Sequence, residues 1–185
     1  AGLAHGLRVG RAVQAAHAPD AAWTVRSGSF GSDRALVEGL QAAGFECVRR
    51  FYRMRIDLAT AALPDVAPPL PDGAVLVNAR TDDERRRLYA VQQESFADHW
   101  NHTPRSYDEY LEHLDGKGGD DPDGWWLLEV DGVPAAVCIL DESRADLGDG
   151  YVRTLGVARD FRGRGLAQLL LVRAFLYYRE RGRDG

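Results

Sequence analysis

The stretch Tyr151-Val-Arg-Thr-Leu-Gly-Val-Ala-Arg-Asp-Phe-Arg-Gly-Arg-Gly-Leu-Ala167 decides the reading of this 185-residue chain. Its first half, Tyr151 to Val157, has the composition of a strand. Its second half is a short glycine-punctuated loop that opens a long helix running from about Gly165 to Arg181. Gly163 and Gly165 allow positive φ and a close approach of backbone to a ligand. The first turn of a helix leaves N–H groups unpaired and presents the positive end of the helix dipole. With Arg159, Arg162 and Arg164 alongside, such a place suits a diphosphate. The competing reading is a polar turn ahead of a surface helix, with solvated arginines. Gly-Lys-Ser/Thr is absent, so this is no Walker loop, and the three-glycine dinucleotide spacing is absent too.

Working back toward the N-terminus, Val75 to Val77 reads as a strand. Thr81-Asp82-Asp83-Glu84 is a capping box that opens a helix through about Phe96, and Ser106-Tyr107-Asp108-Glu109 is a second one. Gly116 to Gly124 reads as a loop. Trp125–Val130 and Val133–Leu140 make a hairpin about Asp131-Gly132, with both tryptophans placed in core and cross-strand packing. From residue 75 onward the order is therefore β-α-α-β-β-β-α. Four prolines within eight residues (Pro64, Pro68, Pro69, Pro71) mark an extended, poorly packed linker. Before it, residues 1–18 read as an alanine-rich helix and Trp23 to Arg26 as a short strand. Ser32 caps a helix that ends at Gly44. The alternation of Val48, Tyr52, Met54, Ile56 and Leu58 with arginines reads as a long half-buried strand, so residues 22–58 are expected as β-α-β.

Composition bounds the function. The chain is 45% hydrophobic and 28% charged, which is globular rather than disordered. No apolar run approaches the roughly 20 residues of a membrane span, and nothing at the N-terminus resembles an export signal, so a cytoplasmic location is expected. Cys47 and Cys138 are the only cysteines. They exclude a disulfide framework or a zinc site and read as reduced core thiols; no metal is expected. Net charge is −5, yet residues 151–185 carry eight arginines against Asp160, Glu180 and Asp184. That distribution argues against nucleic acid as a partner and for one anionic ligand of limited size.

Leu155-Gly156-Val157 followed by Arg162-x-x-Gly165-x-Ala167 resembles the acyl-coenzyme A signature of the Gcn5-related N-acetyltransferase (GNAT) family, and the element order over 75–182 is similar to that family's. The resemblance implies a mixed, mostly antiparallel sheet flanked by helices, with a partial second unit of the same kind in residues 22–58. It implies that the main chain of Arg162, Gly163, Arg164, Gly165, Leu166 and Ala167 holds the coenzyme A diphosphate. Main-chain groups around Leu155 and Val157 would pair with the pantetheine arm. Acetyl-CoA is then the co-substrate and an amine the acceptor.

Ala42-Gly44-Phe45 and the strand after it resemble the family's closing elements, so the chain resembles the middle of a tandem two-copy protein. Residues 1–62 would be the end of a degenerate first copy, 63–73 the linker, and 74–185 a second copy without its last strands. The tyrosine that usually protonates the departing thiolate has no counterpart; Leu40 stands at the corresponding place in the first copy. Asp141 and Glu142 are candidate general bases, or solvated charges at a strand end. His99, Trp100 and His102 fall where the family places acceptor-binding loops; a polar loop with Trp100 in the core is the alternative. Two functions stay open: an N-acyltransferase, or a non-catalytic member that binds coenzyme A weakly or serves as a scaffold.

Overall fold

The structure, a computed structural model, describes residues 2–22, 24–100, 102–115 and 120–185. They divide into two compact units, Ala1–Arg53 and Met54–Gly185. Trp23 and Gly116–Gly119, on which a strand and part of a loop were expected, lie outside the described residues.

The first unit contains helix α1 (Gly2–His17) and helix α2 (Arg34–Ala42). Asp33, not Ser32, caps α2: its carboxylate accepts the Leu36 N–H at 3.1 Å. Gly44 ends the helix at φ 84°, a conformation that costs glycine little. Of the expected β-α-β, only the helix forms. Residues 24–33 and 45–57 hold no strand, and Val48, Phe51, Tyr52 and Met54 are 70%, 78%, 86% and 91% exposed. Alternation prescribes which side chains would face a sheet, but a strand also needs a partner for its backbone, and this segment has no ladder. Cys47 is exposed as well, so only Cys138 is a core thiol. Burial pushes the Cys138 thiol up to about 12. One thiol is expected to react with Ellman's reagent in the native protein and two in denaturant; two native thiols would contradict the burial of Cys138 on its strand. Limited trypsin digestion is expected to cut first after Arg49, Arg50 or Arg53, where exposed chain lacks regular structure. Mass spectrometry reads the result, and first cuts within the helices of the second unit would count against it.

The second unit is built on β1 (Ala74–Asn78), α3 (Asp82–Phe96), α4 (Tyr107–Asp115), β2 (Asp120–Val130), β3 (Val133–Asp141), β4 (Tyr151–Val157) and α5 (Leu166–Glu180). The strands form one antiparallel sheet in the order β1-β2-β3-β4. β4 pairs with β3 alone, and neither Tyr52 nor Met54 belongs to a strand. Both capping boxes form as read. Thr81 Oγ1 accepts from Glu84 N at 3.3 Å and Glu84 Oε2 from Thr81 N at 2.9 Å; Ser106 and Glu109 repeat the pattern. At the hairpin Asp131 (φ 51°) and Gly132 (φ 76°) both take positive φ, as a type I′ turn demands. β2 starts at Asp120, inside the stretch read as a loop.

Both faces of the sheet are covered. Trp125, Leu127, Val137 and Ile139 meet Leu88, Val91, Tyr107, Tyr110 and Leu114 from α3 and α4. Trp126, Leu128, Cys138 and Leu140 meet Leu166, Leu170, Ala174 and Tyr178 from α5. This two-sided burial is why β3 reads as a continuous apolar run rather than an alternating one. The proline-rich stretch is extended but not loose. The Pro64 and Pro68 carbonyls accept from Arg179 and Arg173, and Leu58, Leu63 and Leu70 pack into the α5-side core.

Candidate acyl-coenzyme A site

β4 ends at Val157, and a turn at Arg159–Phe161 leads to the loop before α5. Gly163 and Gly165 both sit at φ 76°, and a Cβ on either would meet nothing within 4 Å. Gly165 is the N-cap of α5 and offers no side chain to cap it. The first amide of the helix with an acceptor belongs to Leu169, which donates to Gly165 O at 3.0 Å. The six amides of residues 163–168 donate to no acceptor among the described residues. Unpaired donors converge at a helix N-terminus, the arrangement that binds a phosphate or another anion.

Four of these residues, Gly163, Gly165, Leu166 and Ala167, border a cleft of about 330 Å³. Leu155, Val157, Arg162, Gly163, Gly165, Leu166 and Ala167 line it, so seven of the eight residues expected for the cofactor are brought together. Arg164 is outside the lining; it donates to Asp160 O at 3.0 Å and stacks on the Phe161 ring. The other guanidinium groups are engaged as well. Arg162 donates to Val157 O and to Ser95 O, both at 3.2 Å, and Arg159 pairs with Asp98 at 2.6 Å. The arginines brace the loop against β4 and the end of α3, while the free donors are main-chain amides.

The far wall of the cleft is Ser95, Phe96 and His99, with Gly156 of the signature and Phe161; of these only His99 was expected as a site residue. Gly156 is the reason α3 comes so near. A Cβ there would stand 2.9 Å from Ser95 Cβ and 3.1 Å from Phe96 Cε2, so only a hydrogen fits. His99 packs edge-on against Phe96 with ring centroids 4.8 Å apart. Trp100 and His102 do not line the cleft, and Trp100 is 44% exposed rather than in the core.

The carboxylates are elsewhere. Asp141 is 1% exposed, pairs with Arg153, and accepts the Ser143 N–H at 2.6 Å. Glu142 pairs with Arg183 at 2.8 Å. Neither lines the cleft, and each is held by a guanidinium. Tyr178, buried beneath this end of β3, accepts from Asp141 N at 2.9 Å and donates to Tyr151 O at 2.8 Å; burial pushes its phenol well above the usual tyrosine range. Among the described residues no cluster of three His, Cys, Asp or Glu could hold a metal ion, and no helix is long and apolar enough to cross a membrane.

Residues 85–184 match the model of the acetyltransferase (GNAT) family, and the chain belongs to that family. Its members are N-acetyltransferases that use acetyl-CoA. Among solved structures, a GCN5-related N-acetyltransferase from Sphaerobacter thermophilus is similar at 26% identity and a TM-score of 0.66, over 83% of this chain and 46% of that one. The glucosamine N-acetyltransferase region of a fungal multi-domain GH3 beta-N-acetylglucosaminidase is similar at 22% identity and a TM-score of 0.56, over 85% of this chain and 20% of that one. The chain thus spans less than half the length of either protein. No curated protein sequence matches it.

Proposed function

We propose that this chain binds acetyl-CoA along β4 and the 162–167 loop and transfers its acetyl group to an amine. The observation that carries this reading is the set of unpaired amides at the N-terminus of α5, those of Gly163, Gly165, Leu166 and Ala167 belonging to residues that line the cleft. Bound acetyl-CoA supplies an acyl thioester, a carbonyl open to attack by an amine. The loop amides would hold the diphosphate, and the helix end would complement its charge. The main chain at Leu155 and Val157 would hold the arm in strand fashion, although Val157 O already accepts one bond from Arg162. His99, whose imidazole belongs to the cleft lining, takes the place of Asp141 and Glu142 as the candidate group to accept the acceptor's proton. Residues 1–62 would be the tail of a first copy in a tandem arrangement.

Isothermal titration with acetyl-CoA tests the reading, followed by mass measurement of a panel of small amines. Saturable binding with a gain of one acetyl group supports it. Binding without transfer selects the non-catalytic reading, which the guanidinium-held Asp141 and Glu142 favour. No binding at about 1 mM, where even a contact worth only about 4 kcal/mol registers, would end both.

A further inference from the structure

A second cleft, of about 440 Å³, opens at the opposite end of α5, where Asn78, Arg80, Asp123, Trp126, Tyr177 and Arg181 converge with Leu76. Its size falls within the range of small-ligand pockets. α5 has 15 residues, so at 1.5 Å per residue about 20 Å of helix separates this cleft from the Gly163–Gly165 loop. It also lies against β1, three strands from β4 across the sheet. The two clefts are different places.

Most polar groups here have partners within the wall. Trp126 Nε1 donates to Asp123 O at 2.8 Å, the Tyr177 hydroxyl donates to Asp121, and Arg80 pairs with Asp123. Two groups are left over, and they have opposite needs. Asn78 Oδ1 is buried with no donor among the described residues, a state that costs stability unless something outside the chain donates to it. The Arg181 guanidinium lies 3.5 Å from the Tyr177 ring centroid and is in none of the ion pairs among the described residues. Asp123, 48% exposed, adds negative charge beside the unpaired oxygen. Trp126 and Tyr177, edge to face at 5.4 Å, make an aromatic floor beside Leu76.

We propose that this cleft is a second ligand site, which takes a free α-amino acid with an apolar or aromatic side chain. The ammonium donates to Asn78 Oδ1 and to the Asp123 carboxylate. The carboxylate of the ligand accepts from Arg181, a charge-assisted pairing. The side chain lies against the apolar lining, Leu76 with the edges of Trp126 and Tyr177. An ammonium alone satisfies Asn78 but leaves Arg181 unpaired, and a carboxylate alone does the reverse, so the geometry selects a zwitterion.

The probes are L-phenylalanine, 3-phenylpropionate, which lacks the amine, and phenethylamine, which lacks the carboxylate. Calorimetry is expected to show saturable binding of L-phenylalanine, with both analogues weaker by roughly tenfold or more, about 1.4 kcal/mol. Arg181→Gln changes an exposed side chain and is expected to cost about the same factor with an unchanged melting temperature. Asn78→Leu removes the unsatisfied oxygen and is expected to lose binding while the melting temperature holds or rises. Should that variant fail to fold, Arg181→Gln decides the matter alone. Acetyl-CoA affinity is expected to be the same in both variants, which keeps this site separate from the acyltransferase reading. No response to L-phenylalanine at about 20 mM, equal binding of either analogue, or wild-type affinity in Arg181→Gln would overturn the proposal.

Discussion

Gly165→Glu is expected to weaken acetyl-CoA binding by roughly a hundredfold or more, while most of the protein stays folded. Two effects combine. Gly165 sits at φ 76°, where a residue with a Cβ is strained by about 1–2 kcal/mol, and relief of that strain would rotate the first amides of α5 away from the cleft. The new carboxylate would then stand beside a diphosphate at a helix N-terminus. Like charges about 4 Å apart repel by about 1 kcal/mol in water and about 4 kcal/mol near a protein surface. With the protein-surface figure the sum exceeds the 2.7 kcal/mol or so of a hundredfold change. Gly165→Ala isolates the strain, since a Cβ there meets nothing within 4 Å, and is expected to cost about tenfold or less. Calorimetry on the two variants reads the difference. Wild-type affinity in Gly165→Glu would mean that the loop amides do not hold the diphosphate.

The contrast between what was legible in the sequence and what was not follows the range of the interactions involved. Thr81 with Glu84, Ser106 with Glu109, and Asp131 with Gly132 act within four residues of chain, so the helices and the hairpin of the second unit could be read directly. The Gly163–Gly165 loop is local in the same sense: positive φ and an uncapped helix start are written into neighbouring residues. The α3 wall of the cleft was hidden because Ser95 and Phe96 reach β4 only through a glycine about 60 residues away. Asp141 and Glu142 looked free for the same reason. Glu142 meets Arg183, 41 residues on, and no sequence spacing announces that pair. The Val48–Leu58 segment failed in the opposite way. Its local pattern is a good strand pattern, but pairing is a property of two segments, and no described segment forms a ladder with it.

Gly150→Ala is expected to be the most destabilising single methyl in the second unit. An ideal Cβ at Gly150 would stand 2.3 Å from Cδ1 and Cγ of Tyr178, inside the ring's van der Waals surface. The ring has no easy way to yield. It is 2% exposed, and its hydroxyl is held by Asp141 N at 2.9 Å and by Tyr151 O at 2.8 Å. The entry to β4 must therefore shift instead, against its pairing with β3 at Asp141↔Tyr151. Overpacking of this kind costs about 3 kcal/mol, which at roughly 2–4 °C per kcal/mol lowers the melting temperature by about 6–12 °C. Tyr178→Phe alone leaves the buried Asp141 N–H without its acceptor, and is expected to cost about 1–3 kcal/mol. The double variant is the discriminating measurement. Once the hydroxyl anchors are gone the ring can tilt away from the new methyl, so the two costs should sum to more than the double variant shows, by about 1 kcal/mol. Strict additivity would mean that the hydroxyl does not pin the ring over Gly150, and an unchanged melting temperature in Gly150→Ala would mean that the ring does not lie there at all.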